Sequence, residues 1–88
     1  MIEAKVVDYQ VAPYIYLTKV LKPNVTENEE NVINQHFISE PNTKYVIKWD
    51  YNLLGQTIIM PEKCILEFDG GSFSNGKLFG DDTYLIMH

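Results

Sequence analysis

The chain of 88 residues contains no arginine; its seven basic residues are all lysines, set against twelve acids, for a formal net charge of −5. A nucleic-acid surface needs clustered Lys and Arg to displace counterions, and an electrostatic membrane patch needs the same, so the composition argues against both. Cysteine occurs once, at Cys64, so neither an internal disulfide nor a Cys-based zinc cluster is available. The two histidines, His36 and His88, form no paired metal-binding motif. No apolar run approaches the roughly 20 residues that span a bilayer. Met1 is not followed by a basic stretch and an apolar run, so no signal peptide is expected. The length excludes two full domains, a TIM barrel or a complete Rossmann enzyme, and leaves one small domain or a piece of a larger one.

What is present is apolar enough to fold. Residues of the hydrophobic class make up 45% of the chain, well above a disordered composition. A chain this short buries a smaller share of its surface than a large domain, which points to stabilisation by a partner.

Three parts can be read along it. Residues 1–24 form an extended N-terminal segment rich in β-branched and aromatic residues, with Pro13 breaking the run. Its alternation is poor, which suits either cover on both faces by another chain or ordinary packing on its own domain. Val7, Tyr9, Tyr14 and Tyr16 are the candidate attachment residues. Residues 25–43 are polar and carry the only helix signal: Thr26 with Glu29 reads as a capping box, and Val32, Ile33, Phe37 and Ile38 would line one stripe before Pro41 ends it. This predicts a short capping helix over about residues 27–39. Residues 44–88 alternate short apolar clusters with turn residues, an all-β pattern.

Within that last part the sequence overlays on itself after a shift of about twenty residues. Ile58-Ile59-Met60 falls on Leu78-Phe79-Gly80, and Cys64-Ile65-Leu66 falls on Tyr84-Leu85-Ile86. Strand, turn, strand recurring at that period suits one coil of a β-solenoid, with Ile58 stacked on Leu78 and Ile65 on Leu85. The expected core is Ile58, Met60, Ile65, Leu66, Phe68, Leu78 and Leu85; the expected turns hold Gly70, Gly71, Asn75 and Gly76. On pattern alone an antiparallel meander or small sandwich stays open, because Asn75-Gly76 also suits a hairpin. Two coils cannot seal their own core, since solenoids need about three repeats and a cap at each end. The predicted helix is placed to cap the first coil; nothing polar after Ile86 caps the last.

No constellation for catalysis emerges, so an enzyme is not expected. Cys64 sits in an apolar strand, where its thiolate is disfavoured. Asp69, Asp81 and Asp82 lack calcium-loop spacing and read as solvated turns. Glu67 and Asp69 share a strand face but find no second acid set across a groove. Asp69-Gly70-Gly71-Ser72 lacks the lysine and following helix of a phosphate loop. Trp49, Tyr51, Tyr14 and Tyr16 have the shape to stack on sugars, although packing is the commoner use of such rings. No cofactor or metal is expected.

The stretch from Asn42 to Ile86 has wording of its own. Tyr45, Ile47, Asp50, Leu53, Gly55, Ile58, Met60-Pro61, Cys64, Leu66, Phe68, Gly70-Gly71-Ser72, Asn75-Gly76, Leu78 and Gly80 fall in a pattern that resembles the opening of pectate-lyase-like right-handed parallel β-helices of Bacteroidetes and their phages, crAss-like phages included. The resemblance covers about half the chain; residues 1–41 carry none. It implies the first coils of a fibre or tailspike, of the kind that forms homotrimers and is fixed to a virion by the segment before it. The partners it implies are other copies of the chain and other virion proteins. The long body that would meet host surface glycans is missing here. The fold expected is therefore mainly β: the start of a parallel β-helix, preceded by an extended segment and one short helix. Two alternatives stand beside the assembly module: the entry coils of a truncated polysaccharide-degrading enzyme, and a small glycan-binding module.

Overall fold

The computed structural model describes residues 17–80 and 82–88. Eight strands run through this span: β1 (Leu17–Val20), β2 (Thr43–Ile47), β3 (Asp50–Asn52), β4 (Thr57–Ile59), β5 (Cys64–Phe68), β6 (Ser72–Ser74), β7 (Lys77–Phe79) and β8 (Thr83–Met87). All the strand pairs are parallel. They make one four-stranded sheet, β1-β2-β5-β8, and two two-stranded sheets, β3-β6 and β4-β7. The chain thus crosses β2, β3 and β4 in turn and then lays β5, β6 and β7 against them in the same order. Parallel strands this short have no hairpin to hold them, so the turns must stack as well.

They do. Leu53 donates its N–H to the Ser74 carbonyl (2.8 Å), Gly55 to Asn75 (2.6 Å), and Lys77 to Gln56 (3.0 Å). The Asn52 carboxamide oxygen accepts from the Leu54 N–H at 2.8 Å and from the Asn75 side-chain amide at 3.1 Å, which ties one turn to the next. Asn75 adopts φ 56°, as an asparagine tolerates, while Leu54 (54°) and Lys63 (57°) take the same left-handed conformation against their own preference. Gly76 is a glycine for a different reason. A Cβ there would run into Leu53 Cβ and lie 2.6 Å from the Gln56 carbonyl oxygen, so the turn above leaves no room for a side chain. Asn75-Gly76 therefore serves a stacked parallel turn and not the hairpin it equally suits in sequence.

The registers show how far the twenty-residue shift carries. Ile58 pairs with Leu78, as the overlay expects. In the large sheet the pairing is Leu66 with Leu85 and Ile65 with Tyr84, so the expected stacking of Ile65 on Leu85 is corrected by one residue. The cause is turn length: residues 60–63 join β4 to β5, whereas residues 80–82 join β7 to β8. A slip of one position changes which face a side chain occupies. Tyr45, Ile47, Cys64, Leu66 and Phe68 point into the main core with Tyr51, Leu53, Ile58 and Met60. Val46 and Ile65 lie on the opposite face of the sheet, outside that cluster, so Ile65 is buried but is not a residue of this core.

The helix expected over residues 27–39 reduces to one 3₁₀ turn, Gln35–Phe37. The Thr26 carbonyl accepts from the Glu29 N–H (3.0 Å) and its hydroxyl from the Glu30 N–H (3.3 Å), but Glu29 turns left-handed at φ 62° and ends any helix there. Thr26 N–H then bonds the Glu30 carbonyl and Val25 bridges Asn31, closing a tight reversal. Thr26 does cap, but it caps a turn. Ile33 and Ile38 are buried, whereas Phe37 is 39% exposed, so the expected stripe is broken.

Candidate functional site: a sealed end and an open end

The residues before β2 form a lid. β1 pairs with β2, and Leu21 N–H continues that ladder to the Val46 carbonyl at 3.0 Å. Over β3, the Asn31 carbonyl accepts from Asn52 N–H (2.8 Å) and the Asn31 side chain donates to the Asp50 carbonyl (2.7 Å). Over β4 there is no strand among the described residues, and one side chain meets its edge. Gln35 Oε1 accepts from Ile59 N–H at 2.7 Å, while Gln35 Nε2 donates to the Ile59 carbonyl at 2.8 Å and to the Ile38 carbonyl at 2.7 Å. A primary amide carries the same donor and acceptor as a peptide group, so it satisfies an edge as a neighbouring strand would.

Beneath the lid Leu21, Ile33 and Ile38 fill the core. Buried polar atoms bolt the two together. Tyr51 hydroxyl donates to the Lys22 carbonyl (2.8 Å), Tyr45 hydroxyl accepts from Glu40 N–H (2.9 Å), and Cys64 Sγ lies 3.3 Å from the Glu40 carbonyl oxygen. Burial pushes the Tyr51 and Cys64 pKa values up, which keeps both groups as neutral donors. Cys64 is thus a buried structural thiol. It belongs to a column with Thr43, whose hydroxyl donates to the Pro41 carbonyl (2.9 Å), and Thr83. Thr83 Oγ1 is buried without a partner among the described residues.

The other end is different. β6, β7 and β8 have no strand below them among the described residues. Phe73, Leu78 and Leu85 pack against the core but stay partly exposed, and Met87 is 51% exposed. Phe73, Leu78 and Met87 surround an apolar mouth of about 370 Å³ that reaches inward to Leu53 and Phe68. Phe73 meets Tyr51 and Phe68 edge-to-face, with ring centres 5.9 and 5.4 Å apart, so it is held in place at the rim. Glu67 marks the same end of the large sheet. It takes Lys44 Nζ at 2.9 Å and His88 Nε2 at 2.8 Å, and the Lys44 and His88 contacts hold its carboxyl below the usual range.

A third surface lies outward on β4 and β7. Ile59 and Phe79, direct neighbours across the ladder, are 64% and 67% exposed and stand beside Met60 and Gly80. The expected core leaves out both residues, but the sequence pattern does not mark them as a paired outward surface.

The expected site residues fall as follows. Ile58, Met60, Leu66 and Phe68 are buried in the core; Leu78 and Leu85 rim the open end; Ile65 is buried on the opposite face. Gly70 takes φ +91°, Asn75 turns left-handed, and Gly71 and Gly76 sit against the turn above. Val7, Tyr9, Tyr14 and Tyr16 lie outside the described residues, as does Asp81. Among the described residues Trp49 is not gathered with a second exposed ring into a sugar platform: Trp49 is exposed, whereas Tyr51 is buried. Among the described residues no group of three or more His, Cys, Asp or Glu is placed to hold a metal ion, and no helix is long and apolar enough to cross a membrane. Comparison of the chain with protein-family models, curated proteins and solved structures finds no match.

Proposed function

We propose that this chain is a structural assembly module without catalytic activity or cofactor. In this reading β2 to β8 are the first coils of a right-handed parallel β-helix belonging to a phage fibre or tailspike. The N-terminal segment, with Val7, Tyr9, Tyr14 and Tyr16, fixes it to the virion, and three copies pack side by side.

The contrast between the two ends carries this reading. One end is closed by a purpose-built lid of backbone and side-chain hydrogen bonds over buried Leu21, Ile33 and Ile38. The other leaves three strand edges and an apolar mouth, the surface on which a further coil stacks. From β2 onward the spacing of 19 to 22 residues between paired strands is that of a coil that repeats, since Cys64 pairs with Thr83 and Asp50 with Ser72. Lateral association is supported by the outward pair Ile59 and Phe79, which an isolated coil has no use for.

Light-scattering mass of the purified chain tests the proposal. A trimer that becomes a folded monomer in the double variant Ile59→Lys, Phe79→Lys is the expected outcome. A wild-type chain that stays monomeric at all concentrations contradicts the trimer, and specific glycan binding by that monomer would favour a carbohydrate-binding module.

A further inference from the structure

Asn75-Gly76 is the one place in the chain where an asparagine precedes a glycine; every other asparagine precedes a residue with a side chain. A following glycine leaves its backbone nitrogen unshielded, open to the asparagine carboxamide beside it. The pair is exposed and joins β6 to β7, strands with no neighbour below them among the described residues. The groups on either side are held. The Asn75 carbonyl accepts from the Gly55 N–H, and the Lys77 N–H donates to the Gln56 carbonyl. The Gly76 N–H between them makes no hydrogen bond to the described residues.

We propose that Asn75 is a site of spontaneous deamidation, and that its conversion cuts the side-chain link between the two stacked turns and loosens the last coil. The Gly76 nitrogen attacks Asn75 Cγ, the Cγ–Nδ2 bond breaks, and ammonia leaves with the proton lost from Gly76. Water then opens the resulting succinimide at either carbonyl, giving aspartate or isoaspartate. No co-reactant other than water is needed. The fold both delays the reaction and suffers from it. Asn75 is held at φ 56°, and Gly76 is packed so closely that a Cβ there would run into Leu53 Cβ. Bringing the Gly76 nitrogen to Cγ turns the backbone out of that contact, so conversion proceeds through local opening of the last coil. In the product an aspartate carboxylate has no proton to give Asn52 Oδ1, which Asn75 Nδ2 meets at 3.1 Å. It instead sets a negative charge against an oxygen that already serves the Leu54 N–H at 2.8 Å. Isoaspartate lengthens the main chain by a methylene at the very carbonyl that Gly55 bonds. This modification goes beyond the assembly reading and does not rest on it.

Mass spectrometry of the full chain, digested after ageing in mildly alkaline buffer, tests the site beside a synthetic peptide of residues 72–79. Residue 75 should gain the mass of an amide-to-acid conversion about ten to a hundredfold more slowly than the peptide does, and ahead of every other asparagine. An unaltered Asn75 beyond that span overturns the site, and a rate equal to the peptide's overturns its control by the stacked turn. The consequence is read in Asn75→Asp, whose Gly55 and Lys77 amides should exchange at least about threefold faster than in the unaltered chain. Unchanged exchange refutes the loosening. Should that variant not fold, the same amides are compared in converted and unconverted fractions of the aged chain, separated by their charge. Neither readout depends on the light-scattering mass, so this inference and the assembly reading fail separately.

Discussion

The two ends of the molecule are built from similar residues and solve opposite problems. At the lid, Ile33 and Ile38 are buried and the edges of β3 and β4 are met by Asn31 and Gln35. At the far end, Leu78 and Leu85 occupy comparable inward positions but remain partly exposed, with no groups arranged beneath them among the described residues. The difference is not composition. It lies in polar side chains that imitate a strand at one end only. An apolar ladder needs such an imitation wherever it stops, because an unmet edge offers itself to any passing strand.

This contrast can be broken in graded ways. The largest effect belongs to the part both ends share. Ile58→Asp or Leu66→Asp puts a carboxylate into fully buried space and should abolish soluble folded protein, a loss of about 4–5 kcal/mol or more. Expression in the soluble fraction with native circular dichroism would contradict the core assignment. Next come matched truncations. Ile38→Ala under the lid should cost about 3 kcal/mol, and Leu85→Ala at the open rim about 1 kcal/mol, measured by urea unfolding. Equal losses would erase the distinction. Gln35→Ala removes three hydrogen bonds at the β4 edge and should cost about 1–3 kcal/mol. Gln35→Glu should do no better, since a carboxylate cannot donate to the Ile59 carbonyl.

The smallest effect is electrostatic. Glu67 has its pKa lowered in the folded state by hydrogen bonding to Lys44 and His88, so the stability it contributes is present above the ordinary carboxylate range near 4.5 and is lost as pH falls through its lower folded value. Wild type should lose stability in that acid window more steeply than Glu67→Gln, by less than about 1 kcal/mol because the pair is partly exposed. Parallel acid profiles for the two proteins would remove Glu67 from the account.

Much of the stacked region is legible in the sequence because its spacing repeats. Ile58 and Leu78 lie twenty apart and pair; Thr43, Cys64 and Thr83 begin successive strands of one sheet and form a column. What escapes notice is whatever depends on a neighbour three-dimensionally. Leu85 meets Leu66 and not Ile65 because one connection is a residue shorter than its counterpart, and composition carries no trace of that. The lid looks like a helix because Thr26 and three acids satisfy the local rules for a helix start. Those same groups serve a turn once Glu29 goes left-handed. Gln35 reads as one polar residue among many until the Ile59 edge is seen beside it.

Amide hydrogen exchange on the isolated full-length chain tests the central contrast most directly. The amides of Leu21, Asn52 and Ile59, which bond to the Val46 carbonyl, the Asn31 carbonyl and the Gln35 side chain, should exchange only through global unfolding. Those of Ser72, Lys77 and His88, bonded to the Trp49, Gln56 and Phe68 carbonyls on the last strands, should exchange at least about tenfold faster through local opening. Uniform protection, or a lid that opens before the far end, would contradict a molecule sealed at one end and open at the other.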